Sequence, residues 1–197
     1  MGCASAGKNT AVGAGIGAAA GAAIGAVVGH QTGNRGTGAL IGAAVGAGLG
    51  GVVGNRLDRQ KKELEQIAET KRTEQGLVSK LKSDILFDSG KADLKSAAKD
   101  NLSKMATIMK KYPENVLTVK GYTDTTGTAA RNQALSQERA AAVKGQLVAG
   151  GIPAETISVV GRGPEEPIAD NKNADGRAQN RRVEIEIAVD ESKVPKQ

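Results

Sequence analysis

Four polar residues capable of ligand chemistry stand close together in the chain: Asp124, Asn132, Ser136 and Arg139. Arg139 lies four residues after Leu135 and four before Val143. It therefore falls on or beside an apolar stripe of helical period made with Ala142 and Leu147. A guanidinium placed there needs a partner, because a buried unpaired charge is strongly destabilising. Asp124 is the candidate, and Asn132 and Ser136 lie on the same side within two helical turns of Arg139. A carboxylate, a guanidinium and amide or hydroxyl groups gathered in one place suit a ligand that carries both an ammonium and a carboxylate. The same residues fit a salt bridge that only supports the fold, and spacing leaves both readings open.

These side chains need a strand, a turn and a helix to hold them. Leu117 and Val119 alternate with polar neighbours, the pattern of a strand over 116–122. Thr123 to Gly127 has turn chemistry: Asp and Thr bond nearby backbone, and Gly allows positive φ. Residues 130–148 read as a helix closed by Gly150-Gly151. Upstream, Val78 to Phe87 reads as one or two short strands, and Ala97, Leu102, Met105, Ile108 and Met109 give a helix that Tyr112-Pro113 ends. Downstream, Ile157–Val160 is a strand, and Val183, Ile185, Ile187 and Val189 alternate with charge as a last strand with one solvated face. The order β-α-β-α-β-β, an α+β fold with helices on one side of a mixed sheet, is what these elements permit.

The string Gly121-Tyr-Thr-Asp124-Thr-Thr-Gly127, followed by Asn132, Leu135-Ser136, Arg139-Ala140 and Val143, resembles the signature of the OmpA-like peptidoglycan-binding domain. Leu86-Phe87-Asp88-Ser89-Gly90 and Gly176-Arg-Ala-Gln-Asn180-Arg181-Arg182-Val183 agree with it. Four ordered blocks over roughly 75–190 carry more weight than one short motif. The resemblance implies the same β-α-β-α-β-β fold and a pocket for the diaminopimelate of the peptidoglycan stem peptide. It carries ligand-binding roles onto Asp124, Asn132, Leu135, Arg139 and Arg181, with the loop Asp88-Ser89-Gly90 lining the pocket. Under it Arg139 and Arg181 take the carboxylate, and Asp124 faces the ammonium or buttresses Arg139. Two positions depart from the family pattern: Tyr122 stands where His is usual, and Gly90 where Asn or Ser is frequent.

Composition narrows the partners. The net charge is +6, which admits an anionic polymer, an anionic membrane surface or nucleic acid. Aromatics are 2% with no Trp, so stacking platforms for single-stranded nucleic acid are missing, and no nucleic-acid partner is expected. One Cys and one His exclude an intrachain disulfide and a His/Cys metal site. No cofactor is expected. No nucleophile–base pair is recognisable, and the chain reads as a binding protein, not an enzyme.

The N-terminal quarter has a different grammar. Gly2-Cys3 matches the last step of a bacterial lipoprotein signal, so Cys3 is expected to carry lipid such as palmitate, with 1–11 as the anchor region. Glycines fall at 13, 17, 21, 25 and 29 and again at 38, 42, 46, 50 and 54, a tandem repeat offset by 25 residues. No charge appears from Asn9 to Asn34 or from Gly36 to Asn55. In lipid such a segment is expected to be helical, and a glycine at every fourth position lets two helices approach closely. An antiparallel transmembrane hairpin over 12–54 follows, each arm of about 17 residues spanning roughly 25 Å, near the lower limit for crossing. The glycine faces also admit pairing between chains, as a homo-oligomer. Residues 55–77 read as a charged helical linker, 78–190 as the peptidoglycan-binding domain and 191–197 as a flexible tail. The expected function is a tether in the outer membrane, facing the periplasm, that grips peptidoglycan at one end and outer-membrane lipid at the other. The competing expectation is a glycine-zipper pore or membrane assembly anchored to the wall by the same domain.

Overall fold

The computed structural model describes residues 51–194. Cys3, the anchor region, all but the last residues of the glycine hairpin, and the tail from 195 lie outside the described residues.

Helix α1 (Gly51–Leu64) is followed by strands β1 (Glu69–Thr73) and β2 (Gly76–Lys82), a helical turn α2 (Ser83–Leu86) and helix α3 (Ser96–Met109). Then come β3 (Asn115–Gly121), α4 (Ala129–Ala149), β4 (Ile157–Gly161), α5 (Ala174–Asn180) and β5 (Arg182–Val189). The five strands form one sheet in the order β1-β2-β5-β3-β4. It is mixed: β3 and β4 run parallel, and the other pairs are antiparallel. Ile185 pairs with Ser79 and with Val119, which centres the last strand between β2 and β3.

Alternation in β5 decides which face is covered. Val183, Ile185, Ile187 and Val189 are buried in a core shared with Leu117 and Val119 of β3 and Leu77 and Leu81 of β2. Ala98, Leu102, Met105, Ala106 and Met109 of α3, and Ala140, Val143 and Leu147 of α4, pack into the same core. The opposite face is charged and paired, with Lys120 bonded to Glu186 at 2.5 Å and Arg182 to Glu184 at 2.7 Å. The fold is the α+β architecture expected, with an added edge strand β1 and the short helices α2 and α5.

Three expectations change. The strand expected to run to Phe87 stops at Lys82, and Ser83–Leu86 makes a helical turn closed by Phe87 N–H donating to Ser83 O at 2.7 Å. The consecutive side chains Leu86 and Phe87 are both buried, which a strand with one solvated face does not permit. The segment 55–77 read as a charged helical linker is helical only to Leu64, and its remainder supplies β1 and the start of β2. That helix is docked: Leu57 and Leu64 are buried in the core, and Arg56 Nε donates to Glu114 at 2.6 Å. The buried stripe of α4 is also shifted toward Asn132, Ser136, Arg139 and Ala140, while Leu135 is only half-buried. Its first half is polar because it faces the chain turn after β3, not the apolar core.

Candidate functional site

Two glycines set how α4 meets the sheet. A Cβ at Gly121, the last residue of β3, would overlap the Ser136 carbonyl. One at Gly161, the last of β4, would lie 2.8 Å from the Gln137 nitrogen and from Ser136 Oγ. The helix therefore presses its second turn against the carboxyl ends of β3 and β4, and the turn between β3 and α4 is held in a fixed place. Ser136 Oγ donates to Gln133 O at 2.8 Å and accepts from Gly163 N–H at 2.9 Å. Ser136 thus braces the fold beneath the site.

The turn itself is an Asx turn: Thr126 N–H donates to Asp124 Oδ1 at 2.8 Å. Asn132, one turn into α4, holds it from below, its Nδ2 donating to Thr126 O at 3.0 Å and to Asp124 O at 3.3 Å. The other carboxylate oxygen of Asp124 accepts from Arg181 Nη1 at 2.9 Å. Arg181 also forks onto Asp84, with Nε–Oδ1 at 3.1 Å and Nη2–Oδ2 at 2.8 Å. One guanidinium thus sits between two carboxylates, and the trio carries a net negative charge.

Arg139 is 4% exposed and is the opposite case. Its Nε donates to Lys91 O at 2.9 Å and its Nη2 to Asp88 O at 3.4 Å, and its guanidinium lies over the Phe87 ring at 5.1 Å. Among the described residues no carboxylate comes within ion-pairing distance of it. The Asp124–Arg139 pair expected from spacing is replaced by Asp124–Arg181, because the 88–91 loop carbonyls occupy Arg139 and α5 delivers Arg181 to the turn.

A cleft of about 630 Å³ joins these groups. All the candidate residues line it: Asp88, Ser89, Gly90, Asp124, Asn132, Leu135, Arg139 and Arg181. Asp88, Ser89 and Gly90 form an exposed rim, and Gly90 holds φ +69, the left-handed region that glycine tolerates best. Sequence reasoning missed Asp84, Lys95, Arg131 and Arg177, which also line the cleft. Asp84 stands 97 positions from Arg181, so no local periodicity links them. Tyr122, the departure from the family's His, does not line the cleft. Its hydroxyl donates to Glu166 at 2.9 Å and its ring faces Arg182 at 3.6 Å.

Charge states follow from these contacts. The Arg181 fork holds the Asp84 carboxyl below the usual carboxylate range, against the opposing effect of burial. Burial alone would raise Asp124, but bonds from Arg181 and Thr126 outweigh it and lower its pKa. Asp84 raises Arg181 further, with Asp124 adding to it. Burial lowers Arg139, which remains cationic at neutral pH as guanidinium does. At neutral pH the cleft thus presents an anionic end beside Arg181 and a cation at Arg139 without a carboxylate of its own.

A five-stranded mixed sheet with a two-signed cleft beyond the carboxyl end of β3, the inner strand of its parallel pair, defines an α+β module with a cleft of the kind that receives a charged ligand. The chain carries an OmpA family domain, whose sequence model matches residues 86–181; a glycine zipper model matches residues 16–61. It is 42% identical over 117 residues to the probable lipoprotein YiaD of Escherichia coli K12, covering 59% of this chain and 53% of that protein. It is 42% identical over 103 residues to the peptidoglycan-binding protein ArfA of Mycobacterium tuberculosis, covering 52% of this chain and 32% of that one. Among solved structures, the cell wall anchor of the T6SS from Pseudomonas aeruginosa is 30% identical with a TM-score of 0.56, covering 68% of this chain and 94% of that one. The chain spans about half or less of the length of these curated relatives.

Proposed function

We propose that the cleft binds peptidoglycan non-covalently by recognising the diaminopimelate of the stem peptide. The observation that carries this reading is the separation of charge within one cleft. Asp124 and Asp84, together only half neutralised by Arg181, suit the ligand's ammonium; Arg139 suits its carboxylate. This revises the part given to Arg181, which acts as the clamp that orders the two aspartates and is not the main carboxylate acceptor. Asn132 becomes a positioning residue, since its amide nitrogen serves the turn. Leu135 and Phe87 supply the apolar wall along the ligand's methylene chain. The relatives' names, a peptidoglycan-binding protein and a cell wall anchor, support the same ligand class.

With lipid on Cys3 and the glycine hairpin in the outer membrane, the whole chain would act as a tether between that membrane and the wall, facing the periplasm. The name of YiaD, a probable lipoprotein, supports this placement. The test is sedimentation of the full-length chain with purified sacculi. Asp124→Asn with Arg139→Gln should abolish pelleting, and unchanged pelleting of that double variant would overturn the binding reading.

The glycine period favours one competing reading, a zipper oligomer that forms a pore or membrane assembly with the domain as its wall anchor. Reconstituted protein that releases dye from liposomes would support it, and intact liposomes would remove it.

A further inference from the structure

The charge balance of the cleft has a surplus that a single zwitterionic head does not use. Five basic side chains line it against three carboxylates, leaving two positive charges over. A ligand head with one ammonium and one carboxylate is neutral and leaves that surplus in place. Most of the cations are engaged. Lys95 donates to Asp84 O at 2.9 Å and lies 3.4 Å from Asp88, and Arg177 holds Asn171 O and Lys172 O at 3.0 and 3.2 Å. The Arg131 guanidinium is different: among the described residues it meets no acceptor.

Its position is also costly for the helix that bears it. Arg131 is the third residue of α4, after the Thr128 cap whose side chain accepts from the Arg131 N–H. The start of a helix favours acids and disfavours cations, and the third position is where a Glu would complete a capping box. No acid occupies the first turn to offset it. Across the rim, Gly90 has no side chain, and a Cβ placed there would sit 3.8 Å from Arg131 Nη2. The guanidinium therefore borders the cleft beside the 88–91 loop that also receives Arg139.

We infer that Arg131 is a specificity residue that takes a second carboxylate of the ligand, next to the zwitterionic head, so that the cleft favours stem peptides in free-acid form over amidated ones. This rests on the diaminopimelate reading above. Two carboxylates on a stem peptide have this chemistry: the one left free on glutamate by its γ-linkage, and the terminal one on alanine.

The test is calorimetric titration of the full-length chain in detergent micelles with three tetrapeptides, Ala-γ-Glu-diaminopimelate-Ala as free acid and the same peptide amidated at either flanking carboxylate. Wild type should bind one of the two amides about fivefold more weakly than the free acid, the size of an exposed ion pair. That amide identifies the carboxylate. Arg131→Gln should bind the free acid about fivefold more weakly than wild type and no longer distinguish it from that amide; Arg131→Lys should keep part of the difference. A urea midpoint equal to wild type shows that the variant has folded. Equal wild-type affinity for all three peptides, or undiminished discrimination in Arg131→Gln, overturns the inference while the diaminopimelate reading stands. Failure of wild type to bind any of the three removes that reading and this one with it.

Discussion

Arg139 and Arg181 are guanidinia in one cleft, yet their surroundings give them opposite roles. Arg181 is paired with Asp84 and Asp124, whereas Arg139 rests on carbonyls and an aromatic ring with no carboxylate partner among the described residues, the cation that the proposed reading gives to the ligand's carboxylate. Single substitutions should separate them. Arg139→Gln should cost at least tenfold in peptide affinity, since truncating one partner of a desolvated charge pair costs about 2–5 kcal/mol. Arg181→Gln should also weaken binding, but with a second signature: it leaves Asp84 and Asp124 facing one another and lifts their pKa values. The pH profile follows by sign. Both aspartates have depressed folded-state pKa values, so their ionised contacts are present above the ordinary carboxylate value and are lost as pH falls through the folded values. Wild-type peptide affinity should be flat from about pH 5 to 8 and fall below about pH 4, whereas in Arg181→Gln the fall should begin at higher pH. Titration calorimetry across that range checks both.

At the scale of elements, the site depends on how closely α4 packs on the strand ends. Gly121→Ala and Gly161→Ala each place a methyl against backbone of α4. Overpacking of this kind costs about 1–3 kcal/mol, and displacement of the turn should weaken peptide binding as well. Gly127→Ala is the contrast: nothing lies within 4 Å of its Cβ, but φ is +94, so only backbone strain opposes it. Urea denaturation with peptide titration should show both quantities falling for Gly121→Ala and a smaller stability loss for Gly127→Ala.

At the scale of the whole molecule, α1 joins the glycine segment to the domain at the pole away from the cleft. The last residues of the glycine repeat and the charged residues after them form one continuous helix from Gly51 to Leu64. Arg56 meets Glu114, just before β3, while the cleft lies beyond the far end of that strand. Arg56 also lies over the Tyr112 ring at 5.3 Å. Arg56→Ala leaves Glu114, 2% exposed, without its cation, a change that should cost about 1–3 kcal/mol. Peptide affinity should stay at the wild-type value, because the substitution is remote from the cleft. A chain beginning at residue 78 lacks α1, β1 and the start of β2, and should have a lower urea midpoint than one beginning at 51.

The amino-acid sequence by itself determined the strand–turn–helix unit at 116–148, the last strand, the covered face of the sheet and the set of polar residues near the turn. These follow from local rules: period-two and helical alternation, turn residues and helix-ending glycines act over a few positions. The pairing inside the cleft was decided only by the tertiary structure. Asp84, Asp124 and Arg181 come from three separated segments, and a helix that seemed to offer Arg139 to Asp124 instead turned it toward the 88–91 loop. The docking of α1 was hidden for the same reason: its few apolar side chains make a thin stripe, and only the assembled sheet shows that Leu57 and Leu64 have a core to enter. Ion pairs form between groups that topology brings together, and sequence distance carries no record of that.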